Sequence, residues 1–124
     1  MEPVQNPGVY VFACLPPDAD PGALNPIATV RESEGLTVVV DEETAGKAGL
    51  HVLFRATWIT LNVHSDLQAV GLTAAFAAAL GNAGISCNVI AGAFHDHIFV
   101  PLASGDAAMA ALWGLQRHAT EDRA

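Results

Sequence analysis

The stretch from Trp58 to Pro101 constrains this chain more than any other. Trp58 to Val63 alternates, with Ile59, Leu61 and Val63 toward one face of a strand and Trp58, Thr60 and Asn62 toward the other. Ser65-Asp66-Leu67-Gln68 then reads as a capping box, each partner satisfying a backbone donor the helix leaves free. The helix that follows, from Leu67 to Leu80, carries Leu72, Phe76, Ala79 and Leu80 on one stripe and Val70, Ala74 and Ala77 on a second. A helix apolar around so much of its circumference is expected to be buried on more than one side. Gly81 to Gly84 ends it. Ile85–Ala91 and Asp96–Val100 read as two strands joined by Gly92-Ala93-Phe94-His95, and Ser104 caps a last helix with Ala108, Leu112 and Leu115 inward and Met109 and Trp113 on a second stripe.

The resulting order β-α-β-β-α predicts an α+β fold, a ferredoxin-like sandwich whose antiparallel sheet carries helices on one face. Upstream, Gly8–Leu15 is β-branched and aromatic and reads as a buried strand. Ile27–Arg31 and Leu36–Val40 form a hairpin around Glu34-Gly35. Asp41 caps a short helix, with Glu42 and Glu43 at its positive end, Lys47 in its last turn and Gly49 after it. Residues 1–7 read as an unstructured lead, and the polar tail after Leu115 as a frayed end. The expected division is an incomplete N-terminal half, 8–55, and a C-terminal half, 56–117.

Charge narrows the partners. With 13 carboxylates against 5 Lys and Arg, the net charge of −8 leaves no cationic cluster for phosphate contacts, so nucleic acid is not an expected partner. The alanine-rich run is interrupted by Gly71 and Gly81 and is too small-residued for a membrane span. No charged-then-apolar leader opens the sequence, and the expected location is the cytoplasm. Cys14 and Cys87 fall in apolar strand patterns and are expected to be buried, inert thiols. Arg31, flanked by Glu32 and Glu34, is expected in an ion pair at a strand end. No Gly-x-Ser-x-Gly, His-Glu-x-x-His or Walker pattern occurs, so neither a catalytic residue nor a cofactor is assigned.

The segment Val63-His64-Ser65-Asp66 through Gly71, the alanine-rich helix and Ala83-Gly84-Ile85-Ser86-Cys87-Asn88-Val89-Ile90 resemble the ACT domain. Tyr10-Val11-Phe12, Glu34-Gly35-Leu36-Thr37, Val63–Thr73 and His95–Pro101 together are similar to small bacterial ACT-like proteins. The resemblance implies tandem ACT-like halves, often dimeric, whose relatives bind amino acids and regulate enzymes. It departs from the family turn in one respect: the glycine there follows the acid by about two residues, whereas Asp66 and Gly71 are five apart.

On that resemblance the ligand would meet His64, Ser65, Asp66, Val70 and Gly71 at the helix start and Asn88 and Val89 on the following strand. The free N–H groups of a helix N-terminus suit a carboxylate, although every capped helix offers them. Pairing of the first strand beside the third would bring His64 to the rim occupied by His95, Asp96 and His97. Alternation places His95 and His97 on one face and Asp96 on the other. Three readings of these imidazoles stand open: hydrogen-bonded structural rings, contacts to a bound ligand, or a zinc site of His64, His95 and His97 serving a metal-dependent enzyme. The expected protein is a homodimer that binds a small molecule; a module that only assembles with a partner protein is the remaining class.

Overall fold

A computed structural model describes residues 2–62 and 72–122. In chain order its elements are β1 (Glu2–Gln5), β2 (Tyr10–Leu15), a 3-10 turn (Gly22–Leu24), β3 (Ala28–Arg31), β4 (Leu36–Asp41), α1 (Glu42–Lys47), β5 (Val52–Asn62), α2 (Leu72–Asn82), β6 (Asn88–Ala91), β7 (Asp96–Pro101), a 3-10 turn (Leu102–Ser104) and α3 (Gly105–Asp122). The chain divides into two compact units, one formed by Gly8–Ala56 and the other by Met1–Pro7 with Thr57–Ala124. Each has the antiparallel α+β architecture expected of a ferredoxin-like half.

In the Gly8–Ala56 unit the strand order is β3-β4-β2-β5, with Val52–Ala56 as the part of β5 that pairs with β2. Val11, Ala13, Leu36, Val38 and Val40 point to one face and pack with Ala45 of α1, the period of two that strands impose. The hairpin of β3 and β4 closes where the backbones of Glu32 and Gly35 exchange hydrogen bonds. A Cβ at Gly35 would lie 2.5 Å from Cys14 Sγ and 2.8 Å from the Leu15 carbonyl, so no side chain fits there. Helix α1 starts as its sequence dictates. Asp41 accepts from the Thr44 amide at 2.9 Å and from the Thr44 hydroxyl at 2.7 Å, and these bonds hold its carboxyl below the usual range. Gly49 follows at φ 67°, in the left-handed region.

The second unit corrects the reading of residues 1–7 as an unstructured lead. Glu2–Gln5 forms β1 and pairs antiparallel with the end of β5, Glu2 opposite Asn62 and Gln5 opposite Ile59. Two prolines and few apolar residues hid this strand. An edge strand tolerates proline because its missing N–H has no ladder partner to lose, and Pro3 is buried opposite Leu61. The unit's strand order is β1-β5-β7-β6. Ile59 and Leu61 of β5 and Ile98 and Val100 of β7 meet Phe76 and Leu80 of α2, Ala108 and Leu112 of α3, and Ile85. Each fully buried Ile, Val, Leu or Phe side chain among them contributes about 1.5–3 kcal/mol.

Four other expectations change. The second stripe of α2 is open: Ala74 and Ala77 are exposed, so within the chain this helix buries one face. Alanine permits this because it forms helix well and exposes little apolar area. Cys14 is exposed, since it lies on the side of β2 opposite the core, while Cys87 is partly buried; both are free thiols. Arg31 does not pair with its flanking carboxylates; its guanidinium donates to the Pro17 carbonyl, Glu32 accepts from the Thr37 hydroxyl and Glu34 from the Ser33 hydroxyl. The backbone of α3 is helical through Asp122, beyond the expected fraying point.

Candidate functional site

Alternation along β7 separates its side chains by chemistry. Ile98 and Val100 enter the core beneath the helices, and His97 and Phe99 stand on the opposite face of the sheet. There they meet the other face of β5. The Trp58 ring stacks on Phe99 at 6.2 Å between centroids, and its Nε1–H donates to His97 Nδ1 at 3.1 Å. Thr60 Oγ1 lies 3.2 Å from the same nitrogen. Asn6, just past β1, donates from its amide to Thr60 Oγ1 at 2.9 Å and to the Trp58 carbonyl at 3.2 Å. A polar network thus ties β1, β5 and β7 together on a face that is otherwise aromatic.

His97 is half-buried, and burial depresses its pKa below the ordinary histidine value. Repulsion from a protonated His95 adds to the depression, and the Asp96 carboxylate opposes it. His95 is exposed in the connection between β6 and β7, where its carbonyl accepts from the Gly92 amide at 2.9 Å. Asp96 is buried at the first position of β7. Asn88 pairs with Phe99 and Val89 with Ile98, so these neighbours project to opposite faces of β6. A ligand touching both would therefore have to use backbone groups for at least one of them.

His64, Ser65, Asp66, Val70 and Gly71 lie outside the described residues, and with them the meeting of His64 with His95 and His97. Among the described residues no group of three His, Cys, Asp or Glu side chains is placed to hold a metal ion. A groove of about 420 Å³ between α2 and α3, lined by Ala75, Ala78, Ala79, Asn82, Ala111, Gly114 and Leu115, carries no titratable side chain. It lies on the helix side of the sheet, away from His97. The residues that sequence reading missed are Trp58, Thr60 and Asn6. Alternation had already put the first two on the face opposite Ile59 and Leu61, but Asn6 carried no signal, being read as part of a loose lead.

One ACT-domain family model matches residues 1–57 and a second matches residues 53–113. A Vibrio cholerae protein of unknown function, described as a possible transport protein, is 49% identical to this chain, over 92% of this chain and 88% of its own, with a TM-score of 0.84. The chain belongs to the ACT-domain family. No curated protein matches its sequence. The ACT fold extends to more distant structures. A protein from Agrobacterium tumefaciens is 17% identical over 92% of this chain and 87% of its own, at a TM-score of 0.75. The regulatory subunit of aspartate kinase from Thermus flavus is 9% identical over 93% of this chain and 97% of its own, at 0.65. Both tandem ACT-like halves are therefore accounted for, and no helix among the described residues is long and apolar enough to cross a membrane.

Proposed function

We propose that this ACT-domain protein is a non-catalytic regulatory protein that binds a small molecule, an amino acid, and works as a homodimer in the cytoplasm. The observation that carries the reading is the presence of two ACT-family halves in one short chain, a fold shared with the regulatory subunit of an aspartate kinase. The halves proposed as working units are 8–55 and 56–117. The proposed ligand contacts are His64, Ser65, Asp66, Val70 and Gly71 at the start of the alanine-rich helix, Asn88 and Val89 on β6, and His95, Asp96 and His97 at the start of β7. Binding would act by favouring one arrangement of the seam it occupies, because a ligand shifts an equilibrium only by its difference in affinity for the two states.

The test is a thermal-shift panel of the proteinogenic amino acids. A ligand at a hundred times its Kd stabilises the folded state by about 2.7 kcal/mol, enough to move the melting temperature by several degrees. At least one amino acid should do so. A flat panel, or stoichiometric metal in the purified protein, would overturn the reading, and sedimentation showing only monomer would remove the dimer from it.

A further inference from the structure

The contact between Trp58 and His97 has a chemical direction. An indole N–H donates and has no lone pair to accept with. His97 Nδ1, 3.1 Å from it, must therefore be the acceptor. In a neutral imidazole the proton then resides on Nε2. The Thr60 hydroxyl, able both to donate and to accept, fits this assignment without deciding it. Its Oγ1 receives the Asn6 amide at 2.9 Å and lies 3.2 Å from Nδ1, which leaves its own hydrogen free to turn toward that nitrogen. The Asn6 amide is oriented in turn by the Trp58 carbonyl, an acceptor only, at 3.2 Å. A proton on Nδ1 would instead set two hydrogens between the indole and the imidazole.

The far side of the ring is disposed differently. Nε2 lies beside Gly92, where a Cβ would come within 3.3 Å of it and within 2.9 Å of the His95 carbonyl. Among the described residues, the titratable neighbours that act on His97 are His95 and Asp96. Trp58 and Thr60 on β5, Ile90 opposite His97 on β6, and Asn6 are all uncharged.

We propose that Trp58 is a positioning residue that holds His97 in its Nε2–H tautomer, so that the ring meets a ligand at the start of β7 as a neutral hydrogen-bond donor and takes an acceptor group, a carboxylate oxygen. The tautomer stands on the geometry alone; the carboxylate rests on the small-molecule reading above.

Nitrogen NMR of the full labelled chain at about pH 8, where histidine is neutral, separates the two parts. The expected pattern is a protonated Nε2, an unprotonated Nδ1, and a scalar coupling across the hydrogen bond from Trp58 Nε1 to His97 Nδ1. A protonated Nδ1, or no such coupling, overturns the tautomer. In Trp58→Phe the balance should move toward the Nδ1–H form, and an unchanged pattern in a folded variant overturns the role of Trp58. The wild-type coupling decides the matter if that variant does not fold. For the carboxylate, each amino acid is compared with the amine lacking its carboxyl group. The wild type should prefer the acid by about tenfold, the scale of one well-placed hydrogen bond. His97→Gln should keep that preference and His97→Phe lose it. Equal response to acid and amine overturns the carboxylate assignment, whereas a flat panel with the expected nitrogen pattern sinks the amino-acid reading and leaves the tautomer standing.

Discussion

The indole of Trp58 and the imidazole of His97 share a 3.1 Å hydrogen bond across neighbouring strands, with rings 5.7 Å apart. The bond exists only while Nδ1 is unprotonated, which makes it sensitive to acid. Burial and His95 hold the folded pKa of His97 below its ordinary value, so the unfolded chain binds this proton more readily. The stabilising contribution is complete above about pH 6.5, the ordinary histidine value. It is lost as pH falls through the depressed folded value. Urea midpoints should therefore decline from neutral to mildly acid pH, and more steeply in the wild type than in His97→Phe. Equal slopes would show that His97 is not the group responsible.

β1 should matter to the stability of the unit it completes. Removing residues 1–6 strips the ladder along Ile59–Asn62, the buried Pro3 and both Asn6 amide bonds. At about 1 kcal/mol for each lost hydrogen bond, plus the burial, the expected destabilisation is at least about 2 kcal/mol. A truncated chain melting within a degree of the full one would contradict the pairing.

Gly35 should resist any replacement. Its backbone conformation is not the obstacle; the space is, because Cys14 Sγ and the Leu15 carbonyl stand where a Cβ would go. Gly35→Ala is expected to cost roughly 1–3 kcal/mol, the range of overpacked sites. Gly35→Ala with Cys14→Ala should recover part of this in chemical denaturation, since the sulfur is the nearer of the two obstacles. No recovery would assign the strain to the carbonyl alone.

The two thiols should differ in reactivity. Cys14 is exposed, and Cys87 is partly buried with its pKa pushed up by that burial. Iodoacetamide under native conditions should modify Cys14 first, and peptide mass spectrometry would reveal the order. Faster labelling at Cys87 would be inconsistent with the placement of β6 and the residues leading into it.

Much of this architecture is written in local pattern. The alternation Ile59-Thr60-Leu61, the cap at Asp41 answered by Thr44, and the helix stripe Phe76–Leu80 announce themselves because each depends on a backbone period or on neighbours within one turn. ACT membership was legible for the same reason, through short runs whose order along the chain is distinctive. His95, Asp96 and His97 entered the reading as candidate ligand contacts through the expected pairing of the strands, which sets the start of one beside the end of another.

By itself, then, the sequence determined the order of the elements from β2 onward and the side chains available on each strand face. Only tertiary structure decided that Glu2–Gln5 is a strand, because an edge strand draws its order from the partner it pairs with, and that partner lies more than fifty residues away. Tertiary structure alone also joined Asn6 to Thr60 and Trp58 to His97. A hydrogen bond between residues 39 positions apart leaves no trace in local propensity; it follows from the register of β5 beside β7.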